Sequence, residues 1–294
     1  MAKARALDRR RRSVKNIRKI TRTMELIATA RFKKAMDRSV AARDYTLRLA
    51  NILANIADEG AGIVHPLLEV RPTQKTAVLI LTGNRGLCGG YNSNVVRQSM
   101  AAIGQWRSEA IPADVAVSGK RGISALKFRG IDTSARYTTF DDKPDFEAIK
   151  PIGMAYLAAY TTGQIDRLDV VYTKFDSIAR QTAITEMLLP LKAPESSVKS
   201  GRAKLSSQEY DFYPSAESIL EEILPASFLS RLFKCFLDAA VSEQVARMVA
   251  MKAATENAGG LIKDLSRRYN RARQSQITGE IMEILGGVEA LKGT

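Results

Sequence analysis

The first 59 residues contain neither glycine nor proline; Gly60 and Pro66 are the first of each. A stretch with no helix breaker predicts one helix of roughly 90 Å at ~1.5 Å per residue, too long to fold back into a small globule. Its apolar and small residues recur at alternating spacings of three and four: Val14, Ile17, Thr21, Met24, Ala28, Ala35, Ala42, Tyr45, Leu49, Ile52 and Ile56, interrupted by Arg31 and Arg38. That is a heptad seam, its centre built from Ala and Thr rather than Leu. The other end of the chain repeats the pattern. No proline follows Pro225, and Leu237, Val241, Gln244, Met248, Met251, Thr255, Ala258, Ile262, Leu265, Tyr269, Ala272 and Gln276 keep the same spacing. Gly259-Gly260 within that run predicts a bend or a close backbone approach, since each glycine costs about 1 kcal/mol against alanine in a helix. Two heptad segments at opposite ends of one chain pair most simply as an antiparallel coiled coil, with the middle as a separate domain.

The middle changes period. Ala77–Leu81 predicts a buried strand, followed by the glycine-rich stretch from Gly83 to Gly90 and a helix over 94–107. A strand over Asp114–Ser118, a turn at Gly119–Gly122 and a helix over Ile123–Phe128 come next, with Thr133–Phe140 extended. Phe146–Thr162 predicts a helix, Leu168–Lys174 and Thr182–Leu191 predict strands, and Lys192–Gln208 an exposed loop. Strands alternating with helices argue for a mainly parallel, Rossmann-like α/β sheet. The expected division is a helix over 1–59, a connector over 60–72, the α/β domain over 73–192, an exposed loop and foot over 193–214, and a helix over 215–294.

Composition limits the chemistry. One histidine, His65, and two cysteines, Cys88 and Cys235, leave little for histidine-assisted nucleophiles, four-ligand zinc sites or a disulfide framework. No apolar run reaches the ~18–20 residues that span a bilayer, and the first residues lack the apolar stretch of a secretory signal. The loop after the first strand sits where a nucleotide would bind, but Cys88 follows Gly83 where a P-loop needs Gly-Lys, and no G-x-G-x-x-G is present. A tight turn is the better reading, with Cys88 a buried thiol and His65 capping or packing the junction before the middle domain. The net charge of +14 is uneven: +10 lies in residues 1–59, +1 in 60–225 and +3 in 226–294. Arg9 to Arg12 therefore suit either nucleic-acid phosphates or carboxylates on a protein partner. No aromatic interleaves them for base stacking. A basic coiled-coil nucleic-acid binder would lose affinity log-linearly with salt; an enzyme would need chemistry that the single histidine and broken glycine motifs do not supply.

Three ordered blocks carry a resemblance over essentially the whole chain. The first is Lys19-Ile20-Thr21-Arg22-Thr23-Met24-Glu25-Leu26-Ile27-Ala28, and the second Arg85-Gly86-Leu87-Cys88-Gly89-Gly90. The third runs from Ser242-Glu243-Gln244 through Ala246-Arg247-Met248, Tyr269-Asn270 and Ala272-Arg273-Gln274 to Ile277-Thr278-Gly279-Glu280. The sequence resembles the gamma-subunit family of F-type ATP synthases, departing at Thr23, where alanine is usual, and at Val288 after Gly287. The resemblance implies a non-catalytic central rotor shaft that couples transmembrane proton flow to ATP synthesis or hydrolysis. The implied partners are the ring of alpha and beta subunits, the epsilon subunit and the membrane c-ring, with no cofactor, no metal and no nucleic acid. Membrane association would be indirect, at the cytoplasmic face of a bacterial plasma membrane rather than in a mitochondrion or chloroplast. By the same resemblance Arg273, Gln274, Thr278 and Glu280 match the catch positions that meet a beta subunit. Met24 maps to a beta contact on the N-terminal helix, and Tyr210, Phe212 and Tyr213 to the contact with the c-ring and epsilon. The cysteine pair of the chloroplast redox switch is missing, so no such thiol regulation is expected.

Overall fold

A computed structural model describes residues 2–59, 65–140, 143–191 and 216–292, which fold into two compact units. One unit is Met1–Ala28 with Arg247–Thr294; the other is Thr29–Ala246. Both terminal helices, α1 (Ala2–Glu59) and α5 (Ala216–Lys292), contribute to each. Pro225 is carried inside α5, and Gly259 and Gly260 are helical too. A Cβ at Gly259 would meet only the Arg18 side chain, at 3.9 Å, and one at Gly260 nothing within 4 Å. The expectation of a close backbone approach there is therefore corrected: both positions have room for a side chain.

The helices pack antiparallel within each unit. In the first, the Arg11 guanidinium sits 4.7 Å over the Tyr269 ring and the Thr255 hydroxyl donates to Thr21 Oγ1 at 2.8 Å. In the second, Thr46 and Ser230 share a 2.7 Å hydroxyl contact, and Ser39 reaches Asp238 at 3.4 Å. Partner numbers in α5 fall as α1 advances. All twelve expected seam positions of α5 are buried or half-buried. In α1 the seam holds at Thr21, Ala28, Ala35 and Leu49, but Ile17, Tyr45 and Ile52 are exposed, and Ser39, Thr46 and Leu53 turn inward instead of Arg38, Tyr45 and Ile52. A straight helix lags a strict heptad by about 20° per seven residues, so the contact stripe migrates one residue later along a long helix. Arg38 is no interruption; it lies outside the seam.

The second unit contains a five-stranded sheet of order β3-β2-β1-β4-β5. Its strands are β1 (Thr76–Leu81), β2 (Ala113–Ser118), β3 (Ala135–Tyr137), β4 (Arg167–Phe175) and β5 (Gln181–Leu189). All pairings are parallel except β4 with β5, an antiparallel hairpin at one edge. All six residues of β1 are buried, as a central strand covered on both faces requires. Val78, Ile80 and Val171 pack against α2 (Tyr91–Ser108) and α3 (Lys120–Phe128). Leu79, Leu81, Val170 and Tyr172 face the other way, in one cluster with α4 (Phe146–Thr161) and α5. From Ser227 to Val245 every side chain of α5 is buried or half-buried, so this stretch is covered all round, its polar side chains included. A Cβ at Gly153 of α4 would lie 2.4 Å from a Leu229 methyl, which sets how closely α4 and α5 approach.

Two local expectations change. Only Ala135–Tyr137 of the expected extended stretch pairs into the sheet. Gly122 is not a turn residue but lies in α3, where a Cβ would come 2.5 Å from Thr82 Oγ1; its own N–H donates to that hydroxyl at 3.0 Å. Gly119 is the turn, at φ +103°.

Candidate functional site

The matched positions near the end of α5 lie on a helix that also carries the seam: Gln274 and Thr278 face away from it, and Arg273 and Glu280 flank it. Tyr269 lies under Arg11, and Ala272 and Gln276 are half-buried. Arg273 and Glu280, seven residues apart, share one helix face; Gln274 and Thr278, four apart, share another, and all four are exposed. Gln276 donates its side-chain amide to Glu280 Oε1 at 2.8 Å, which pre-positions that carboxylate. Sequence reasoning missed the apolar neighbours. Ile277, Ile281, Met282, Ile284, Leu285 and Val288 are all exposed, a concentration of apolar surface beside the polar positions. The available signal was an apolar run continuing where the heptad spacing stops.

Met24 is half-buried in the seam beside the Arg22–Glu25 ion pair of 2.8 Å. The basic run is partly satisfied inside its own helix, because Asp8 holds Arg11 at 2.6 Å and Arg12 at 2.8 Å. Arg9 and Arg10 are exposed. Tyr210, Phe212 and Tyr213 lie outside the described residues, as does the 192–208 loop.

The glycine-rich loop is closed by side chains. Gly83 N–H donates to Asn92 Oδ1 at 2.9 Å, and Asn84 bridges to the Thr138 and Phe140 carbonyls at 3.0 Å each while accepting from Lys120 N–H. Asn92 also donates to Cys88 Sγ at 3.1 Å, and Cys88 is buried. His65 accepts the Leu67 N–H on Nδ1 at 3.1 Å, capping the turn over residues 65–68; burial lowers its pKa, with Glu221 opposing. In the core, burial and then Glu186 raise the Cys235 thiol, which keeps it a neutral thiol and a poor nucleophile. Burial likewise raises Tyr172, whose hydroxyl donates to Glu186 Oε2 at 2.6 Å, and Arg231 holds the other oxygen at 3.2 Å. Among the described residues no three His, Cys, Asp or Glu side chains are grouped to hold a metal ion, and no helix is long and apolar enough to cross a membrane.

An antiparallel pairing of terminal helices, combined with a sheet whose loop polar groups are spent on closing the fold, defines a subunit that works through its surfaces. The chain belongs to the ATP synthase gamma-chain family, the non-catalytic central-stalk subunits of that enzyme. It matches the family described as ATP synthase over residues 3–291. It is 59% identical over 296 residues to the ATP synthase gamma chain of Rhodopirellula baltica, covering all of both chains. The gamma chain of Desulfitobacterium hafniense is 37% identical over 292 residues, covering 99% of this chain and 100% of that one. Among solved structures, a rotor chain of the Euglena gracilis mitochondrial ATP synthase superposes with a TM-score of 0.63 at 18% identity, covering 94% of this chain and 99% of that one. At that identity the likeness speaks for the fold.

Proposed function

We propose that this chain couples proton flow to ATP chemistry by presenting different faces to identical partners. The terminal helices stand inside a ring of three alpha and three beta subunits, and each beta subunit meets a different side of them. A contact shifts a conformational equilibrium only by its differential affinity for the states. Rotation therefore changes which beta subunit is held open, and the coupling runs in both directions. The domains that do this are the helices over 1–59 and 215–294, the connector over 60–72, the α/β domain over 73–192, and the loop and foot over 193–214. The foot, with Tyr210, Phe212 and Tyr213, contacts the c-ring and the epsilon subunit. The whole sits peripherally at the cytoplasmic face of a bacterial plasma membrane. The observation that carries this reading is full-length identity of 59% to a bacterial gamma chain, with no part of either chain left over. Copurification from the native membrane should yield one copy per three alpha and three beta subunits.

The finer assignment concerns the beta contacts. Arg273, Gln274, Thr278 and Glu280 form the catch, and Met24 meets the moving part of a beta subunit. Exposure of all four catch residues, with the carboxylate of Glu280 held by Gln276, supports that role. Inside a closed ring a guanidinium or carboxylate needs a partner, and one charge-assisted hydrogen bond contributes roughly 1.5–3 kcal/mol. Arg273→Leu or Glu280→Leu is expected to slow rotary ATP turnover severalfold or more in a complex that still assembles. Wild-type turnover in both assembled variants would refute the assignment.

A further inference from the structure

In an open α/β sheet, ligands bind where the strand order reverses, in the crevice beyond the carboxyl ends of the strands. Here that point lies between β1 and β4: from β1 the chain winds outward through β2 to β3, then returns to place β4 on the other side of β1. The segment Ser242-Glu243 of α5 reaches both walls of this crevice. Ser242, buried, donates its hydroxyl to the Thr173 carbonyl near the end of β4 at 3.2 Å. Glu243, also buried, lays its carboxylate against Gly83, two residues past β1. A Cβ at Gly83 would stand 2.8 Å from both the carboxyl carbon and Oε2 of Glu243, and 2.9 Å from Oε1. The whole carboxylate plane is therefore stacked where a side chain would begin, so any Cβ there requires the Glu243 carboxylate to move. From Gly83 the packing continues outward through hydrogen bonds, because its N–H is held by Asn92, and Asn92 holds the buried Cys88. Leu87, on the outer side of the same loop, is exposed at φ +61°.

We infer that the glycine-rich loop is a binding site filled from within: its ligand is the Glu243 carboxylate of α5, and the loop stays closed over Cys88 only while that carboxylate is seated. The site uses the crevice of a nucleotide-binding sheet to grip a helix of the same chain. It follows that a displacement of α5 at Glu243 is passed to the exposed loop through Gly83 and Asn92. Glu243 is a positioning residue, acting on the loop through two others.

Cys88 is a built-in reporter. In the folded full-length chain carrying Cys235→Ser, its rate of modification by a small aromatic disulfide reads loop closure. Gly83→Ala is expected to raise that rate at least tenfold, because its methyl displaces the carboxylate. Adding Glu243→Asp, which withdraws the carboxylate by one methylene, should return the rate to within about twofold of the parent. Glu243→Ala alone should expose Cys88 without any steric conflict at Gly83, so it tests the same seating even where Gly83→Ala folds poorly. A rate unchanged by Glu243→Ala would overturn the inference. So would a Gly83→Ala effect that Glu243→Asp fails to reverse.

Discussion

Asp238 is an acid placed in α5 where little water reaches it. Burial raises its pKa; the Lys234 ammonium, at 3.6 Å, and a hydrogen bond from Ser39 pull the other way, and Glu186 adds to the rise. With the folded pKa above the unfolded one, the native state binds the proton more tightly. Stability from this group is then greatest below the unfolded value and declines as pH rises through the folded value. Asn at this position keeps the shape of the protonated acid, and Lys234 is partly exposed and can turn to water. Asp238→Asn should therefore raise the thermal midpoint of the full chain more at pH 8 than at pH 4; an equal shift at both would show that ionisation of Asp238 is not what limits stability there. Asp169 belongs to the same class. Burial raises it, while Arg167, at 2.9 Å and stacked 4.7 Å over Trp106, offsets part of the rise.

Between the two long helices the polar seam contacts decide register more than strength. Thr255 donates to Thr21, and Thr21 donates to the Arg18 carbonyl. Replacing one threonine strands part of a buried network, whereas replacing both with an apolar isostere of similar shape removes the need for it. Thr21→Val and Thr255→Val are each expected to cost about 0.5–1.5 kcal/mol in denaturant unfolding. The double variant should cost less than the two together; strict additivity would mean that the hydroxyls do not interact. Much of this level was legible in the sequence, because heptad spacing and absent helix breakers are local properties. All of the α5 seam could be read that way, and in α1 Thr21, Ala28, Ala35 and Leu49, though not Ile17. The shift onto Ser39, Thr46 and Leu53 was not, since it accumulates from a few degrees per turn and shows only over the full helix. Strand positions were legible for the same local reason, whereas the docking of Glu243 at Gly83 joins residues far apart in the chain and has no spacing to betray it. The proposed catch residues stood out through resemblance, because an exposed polar side chain acquires its role from the surface opposite.

On the scale of the whole molecule, the proposed foot gives the clearest test of assembly. Tyr210→Ala, Phe212→Ala and Tyr213→Ala together are expected to release the ATP-hydrolysing portion from membranes with its hydrolysis intact. Undiminished sedimentation with the membrane fraction would count against this contact. The pairing of the two ends also governs how the chain comes into being. Ser39 meets a residue 199 positions later and Thr21 one 234 positions later, so neither finds its partner until that many further residues have been made. At ribosomal speeds of ~5–20 residues per second that wait is about 10–50 s. The β1 face that packs on α5 waits as well, because Phe228 and Leu232 of its cluster belong to α5, made long after β1. A nascent N-terminal helix with a stripe of large aliphatic groups would be an invitation to aggregate throughout that interval. Through the middle of α1 the buried stripe that waits for its partner is Thr21, Ala28, Ala35 and Ser39, small residues flanked by arginine and lysine, and large aliphatic seam residues enter only at Leu49 and Leu53.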